Sequence, residues 1–279
     1  MAKDPDDEAT REYNVPICGG LGAQLLGVML VEHLRAEHPD QSVYVDLDYF
    51  QQAPRRAERG EGLSIFPWEL DHYGLSIEHY NFRAPDAGGR FARRFGKRPH
   101  RLEDGSVERQ RLLRAALSRD WDALFPISPE ERVGALELLQ GKSHAVVAVV
   151  HLRRGDYLNV ASHVVSDLDV VSVLAKLGAL GVSRFLFVSD DPVPVDSFGE
   201  RLQPGVELDA LDSDDVFLAH AVMRLAKCLV ISNSQFSLSA AVLNPDGICL
   251  MPRKWFGGRD AALNAEINEM SAWSLLGVR

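Results

Sequence analysis

Cysteine is scarce: three in 279 residues, Cys18, Cys228 and Cys249, far apart and odd in number. No disulfide framework and no zinc-ligand spacing can be built from them, and the expectation is reduced thiols in a cytoplasmic protein. Long hydrophobic runs are lacking as well. No window approaches a membrane span and no early apolar run has signal-peptide form, which leaves peripheral contact as the membrane association open to the chain. Positive charge is in deficit, 30 Lys and Arg against 40 Asp and Glu for a net charge of -10, which argues against nucleic acid as a partner. Neither a P-loop nor a GxGxxG fingerprint occurs.

What the chain does contain is organised around AVVAVVHLRRGDY, Ala145 to Tyr157. Val146 to Val150 is a short β-branched run, apolar on both faces, as a buried parallel strand requires. It stops in His151, Arg153, Arg154, Gly155 and Asp156. In open α/β sheets, ligands bind beyond the carboxyl ends of the strands. Two adjacent guanidinium groups match the geometry of phosphate oxygens and stay charged when partly desolvated. Gly155 permits a tight turn, and Asp156 can hold one arginine in place.

Three further strands follow, alternating with helices from residue 142 to the end, the pattern of a Rossmann-like domain. Arg184–Val188 ends in Ser189, Asp190, Asp191 and Pro192. Cys228–Ile231 ends in Ser232, Asn233, Ser234, Gln235, Phe236 and Ser237. Ile248–Met251 ends in Pro252, Arg253 and Lys254. Parallel strands bring these clusters to one edge. The turn at Ser232–Gln235 opens a helix, whose amides and hydroxyls can hold phosphate oxygens. Asp190, Asp191 or Asp215 can accept hydrogen bonds from a base or a ribose; Asp190 and Asp191 can instead hold a divalent metal.

The first half is less regular. Residues 1–12 read as a frayed tail, and 13–141 as a separate α/β domain, distinct from 142–279. A strand at Val15–Cys18 enters Gly19, Gly20, Leu21, Gly22, Ala23 and Gln24, then a helix over Leu25–Arg35. Such a glycine turn lets a ligand approach backbone amides. A second strand, Ser42–Leu47, ends in Asp46 and Asp48. Residues 83–119 hold eleven Lys or Arg against four Asp or Glu, either a solvated loop and helix or a basic lip for an anionic acceptor. Ser128 and Glu131 form a capping-box pattern before a helix that runs to Leu139.

These blocks resemble the bacterial-type α-1,2-fucosyltransferases, which share an HxRRxD signature with other GDP-fucose enzymes. ICGGLGAQ is similar to that family's opening glycine motif. VVHLRRGDY is similar to its signature, RFLFVSDD to its acidic pair, and LVISNSQFSLSAAVLN with MPRKWF to its closing block. The resemblance covers about the first fifty residues and 145–256. It implies a GT-B-like fold of two Rossmann-like domains facing a cleft, the N-terminal one irregular. It further implies GDP-L-fucose as donor substrate, a glycan acceptor, α-1,2 transfer to galactose with inversion, and no required metal or other cofactor. By match, Arg153 and Arg154 meet the diphosphate with Ser234 and Gln235 near it. His151 and Asp156 shape the turn, Asp190 and Asp191 lie near the nucleoside, and Gly19, Gly20 and Gly22 face donor or acceptor.

The chain departs from the family at four places. Ala23 stands for an asparagine, and Leu238 and Ser239 for two tryptophans. A helical carboxylate aligns with Ala219, Asp215 lying one turn earlier. An aromatic block between 85 and 125 is missing. Asp46, Asp48 and His163 are the available bases for an acceptor hydroxyl. The alternatives are a non-catalytic GDP-sugar-binding protein, or a glycosyltransferase with another acceptor or donor.

Overall fold

The computed structural model describes residues 12–50, 66–80, 100–103, 106–140, 146–155, 158 and 164–252. Asp156, His163, Arg253, Lys254 and the whole of the basic stretch before residue 100 lie outside them. The chain divides into two compact units, Met1–Leu124 and Phe125–Arg279.

In the first unit, β1 (Tyr13–Pro16) lies between β2 (Val43–Asp46) and β3 (His100–Arg101), all parallel. Helix α1 (Leu21–Glu37) connects β1 to β2, and its apolar side chains from Leu21 to Leu34 are almost all buried. A single turn at Leu70–Tyr73, a four-residue helix α2 (Ile77–Tyr80) and helix α3 (Val107–Leu117) complete the unit. Ser106 caps α3 by accepting from the Arg109 amide at 3.2 Å. The two-residue β3 carries no apolar run, so nothing in the sequence announced it. Among the described residues of the basic stretch, Arg109 is buried and donates to the Leu102 carbonyl, while Arg101 pairs with Asp46 and Glu103.

The second unit is a five-stranded parallel sheet in the order β6-β5-β4-β7-β8. Its strands are β4 (Val147–Leu152), β5 (Arg184–Ser189), β6 (Glu207–Ala210), β7 (Cys228–Val230) and β8 (Ile248–Leu250). The helices are α4 (Pro129–Gln140), α5 (Asp167–Ala179), α6 (Val195–Gly199), α7 (Val216–Leu225) and α8 (Gln235–Val242). The expected capping box starts α4: the Ser128 amide donates to Glu131 at 3.0 Å and the Glu131 amide donates to Ser128 at 3.1 Å. The sequence boundary was placed at 141/142, after α4. In the structure α4 packs on α7, and Arg184 of β5 donates to the Leu138 carbonyl at 2.9 Å.

Side chains on a strand alternate between faces. Ala148, Val150 and Leu152 of β4 join Val173, Leu174 and Leu177 of α5 and Phe185 and Phe187 of β5 in one core. Val149 and His151 point to the opposite face. The sequence reading ended β4 at Val150; it continues through His151 and Leu152, which pair with Val188 and Ser189. Chain order reverses between β4 and β7, whose register is Val149↔Leu229 and Val150↔Val230. That reversal is the topological switch point, where a crevice opens at the carboxyl edge.

Phe187 is fully buried at the centre of this core. Phe187→Ala should cost about 3–5 kcal/mol, measured as a lowered urea midpoint with an unchanged slope.

Candidate functional site

The site is assembled where β4 and β7 end. The His151 ring is buried, and its Nδ1 lies 2.8 Å from the Ser232 Oγ. This one hydrogen bond crosses the switch point and ties the histidine of HLRRGD to the first serine of SNSQFS. Beyond Ser232, Asn233 and Ser234 are buried too. Ser234 caps α8, accepting from the Phe236 amide at 3.3 Å, and the Ser237 hydroxyl bridges the Ser232 and Ser234 carbonyls at 3.3 Å each. The turn is thus braced from within.

Phe236 lies between two imidazoles, 5.7 Å from His151 and 5.4 Å from His220. His220 sits 3.0 Å from the Ser239 hydroxyl, which donates to the Phe236 carbonyl at 2.9 Å. That hydroxyl has only one proton to give, so His220 Nε2 carries the hydrogen. His220 was not anticipated; it adjoins Ala219, where the family resemblance placed a carboxylate. Asp215 caps α7 with its Oδ1, accepting from the Phe217 and Leu218 amides at 2.9 and 3.1 Å.

The two arginines have different surroundings. Arg153 Nη1 pairs with Asp190 Oδ2 at 2.8 Å, both side chains being about one-quarter exposed. Arg154 is more buried; it donates to the Val165 carbonyl at 2.8 Å and pairs with Asp167, in the first turn of α5. Asp190 also accepts from the Arg154 backbone amide, at 2.7 Å. The expected nucleoside ligand Asp190 is therefore engaged with the arginine turn itself. Asp191 is half-buried, and its amide donates to the Ser189 hydroxyl at 3.3 Å. Among the described residues no three His, Cys, Asp or Glu side chains are grouped as metal ligands.

On the α5 face of the same edge lies a solvent-open pocket of about 440 Å³. It is lined mostly by aliphatic side chains such as Leu152, Val173 and Leu250, with His151, Asp169 and Ser232 as polar members. Cys228 and Cys249 lie on the paired strands β7 and β8. Burial raises both thiols, Cys249 to about 12, so neither is a nucleophile at neutral pH.

In the first unit the glycine turn is filled by its own chain. Gly19 has φ +84°, and a Cβ on Gly20 would meet the Phe66 ring at 3.1 Å. Gln24 is buried, donating to the Gly19 and Pro67 carbonyls at 2.9 and 2.8 Å and accepting from the Glu69 amide at 2.8 Å. Its amide is a structural staple. The Glu69 carboxyl is raised by burial, an effect opposed by a hydrogen bond from the Leu21 amide at the start of α1. Glu69 was missed in the sequence; its place in the aromatic run IFPWEL was the available signal. Of the expected bases, Asp46 is held by Arg101 and by the Asp48 amide.

No protein-family model and no curated protein sequence matches the chain. Solved structures do. A crystal structure of POFUT1 in complex with GDP is 12% identical with a TM-score of 0.50, over 86% of this chain and 98% of that one. A glycosyl transferase of family 9 from Veillonella parvula is 12% identical with a TM-score of 0.48, over 96% and 86%. The fucosyltransferase NodZ from Bradyrhizobium is 15% identical with a TM-score of 0.40, over 85% and 93%. The fold is accordingly mixed α/β with parallel sheets, GT-B-like. No helix among the described residues is long and apolar enough to cross a membrane.

Burial pushes the His151 imidazole down to about 3, with the nearby Arg153 charge adding to the effect. Burial likewise puts His220 well below 6.5, helped by Arg224 and His151. The unfolded chain takes up these protons near pH 6.5 and the folded chain does not. Stability is therefore complete above that pH and falls as pH drops toward 3, by about 1.4 kcal/mol per pH unit for each histidine. The urea midpoint should decline between about pH 7 and about pH 5, and His220→Asn should flatten that decline.

Proposed function

We propose that the chain is an inverting glycosyltransferase that moves L-fucose from GDP-L-fucose to a glycan hydroxyl, α-1,2 to galactose. The observation that carries this reading is the His151–Ser232 hydrogen bond, 2.8 Å long at the switch point of the sheet. It joins the arginine-bearing strand end to the start of a helix, two elements suited to a diphosphate. The ordered similarity of four sequence blocks to GDP-fucose enzymes supports the donor. So does the fold shared with POFUT1, whose crystal structure holds GDP.

In this reading the acceptor hydroxyl oxygen attacks the anomeric carbon as the bond to the diphosphate oxygen breaks, and its proton is released to water. The bonding electrons leave with GDP, and negative charge grows on its phosphates. Arg153 and the Gln235 amide meet that charge, so their contribution belongs to the rate. Guanidinium and amide donors supply the charge stabilisation, and the reaction is independent of metal. Arg154 acts differently. Its bonds to Val165 and Asp167 fix the entry to α5, so it supports the site from beneath.

GDP should raise the melting temperature, by about 2.7 kcal/mol of stabilisation at a hundredfold excess over Kd. Mass spectrometry with GDP-fucose and a mixed glycan panel should show fucosylated products, unaffected by chelator. Arg153→Ala should lower turnover about a hundredfold with little change in melting temperature. Arg154→Ala should lower the melting temperature itself. GDP binding without any product would favour a non-catalytic GDP-sugar-binding protein instead.

A further inference from the structure

We infer that Asp190 is a positioning residue that fixes the Arg153 guanidinium and the turn behind it, at some expense in donor affinity. The inference rests on the reading of Arg153 as the diphosphate ligand.

Strand register brings the two residues together. Leu152 at the end of β4 pairs with Ser189 at the end of β5, so Arg153 and Asp190 leave the sheet side by side. Asp190 then uses its two oxygens on two different parts of one turn. Oδ2 takes Arg153 Nη1 at 2.8 Å and Oδ1 takes the Arg154 amide at 2.7 Å. The carboxylate fills the space where the next residue would carry a side chain. A Cβ on Gly155 would collide with Asp190 Oδ2, and Gly155 has φ +23°. The glycine of RRGD and the first acid of SDDP are therefore one device, although they stand on different strands.

An exposed ion pair contributes little by itself. This pair is half-buried and anchored to backbone, so its effect is on geometry. A guanidinium held in place needs no reorganisation when charge develops on the leaving group. The carboxylate also cancels part of that guanidinium's charge toward a bound anion. Removing the charge should thus strengthen ground-state binding and weaken the rate.

The test uses the full chain with GDP and GDP-fucose. Asp190→Asn keeps an oxygen for the Arg154 amide and loses the charge. By titration calorimetry it should bind GDP at least as tightly as wild type, about threefold to tenfold tighter, while kcat falls about tenfold to a hundredfold. Gly155→Ala pushes on the same oxygen, so it should lower kcat as well. The double variant should lose no more than the worse single one. Circular dichroism checks folding, and Gly155→Ala carries the kcat test if Asp190→Asn fails to fold. Weaker GDP binding in Asp190→Asn, an unchanged kcat, or additive losses would overturn the inference. A wild type that binds no GDP overturns the donor reading and this inference together; wild-type GDP binding with an unchanged kcat in Asp190→Asn overturns the inference alone.

Discussion

The second unit depends on a buried, uncharged imidazole at the reversal point of its sheet. His151 sits one residue past the last β4–β7 pair while still paired with Val188 of β5, and it bonds the Ser232 hydroxyl across that boundary. A lysine or arginine there would bury a second positive charge close to Arg153. An aliphatic residue would leave Ser232 without that bond. A neutral histidine satisfies the serine and still packs against Phe236. The hydrogen bond fixes how far the arginine turn stands from the start of α8, and everything proposed about phosphate recognition uses that spacing.

Charge compensation follows from the same layout. Each arginine of the pair has a carboxylate of its own, Asp190 for Arg153 and Asp167 for Arg154. Burying a guanidinium without a partner costs more than the pair gains. The partners come from different elements, the end of β5 and the start of α5, so the two arginines are oriented independently. Arg154 spends its donors on the carbonyl of Val165 and on Asp167, which ties β4 to α5. Arg153 has a shallower setting, and that difference is why the ligand role is assigned to it.

Much of this was legible before any coordinates. The β-branched run at 146–150, the polar endings of three strands and the capping box at Ser128 are local signals, and local signals survive folding. The parallel sheet followed from alternation of strand and helix. What could not be read were pairings set by register. The family resemblance puts Asp190 near the nucleoside; the match of Leu152 with Ser189 sets it against Arg153. Asp215 looked like a base-recognising carboxylate, yet an aspartate just before a helix serves its amides first. The strand end was misplaced for a related reason. His151 is polar and so read as loop, but one buried partner is enough to keep it in the ladder.

Both glycine turns carry the same lesson about close approach. In sequence, Gly19-Gly20 reads as a place where a ligand comes near the backbone, and Gly155 as the residue that permits a tight turn. In the structure the approaching group belongs to the chain: Phe66 lies over Gly20, and the Asp190 carboxylate lies against Gly155. At the first turn, Gln24 and Glu69 take up the carbonyl and amide groups that a ligand would have used. A glycine selected for an internal contact and one selected for a ligand look alike in one sequence, since both need only the absence of a Cβ. What distinguishes them is whether the space is already filled. By that criterion the proposed diphosphate contacts of the second unit are the Arg153 side chain and the Gln235 amide, with Gly155 leaving room for the acid that pairs with the arginine.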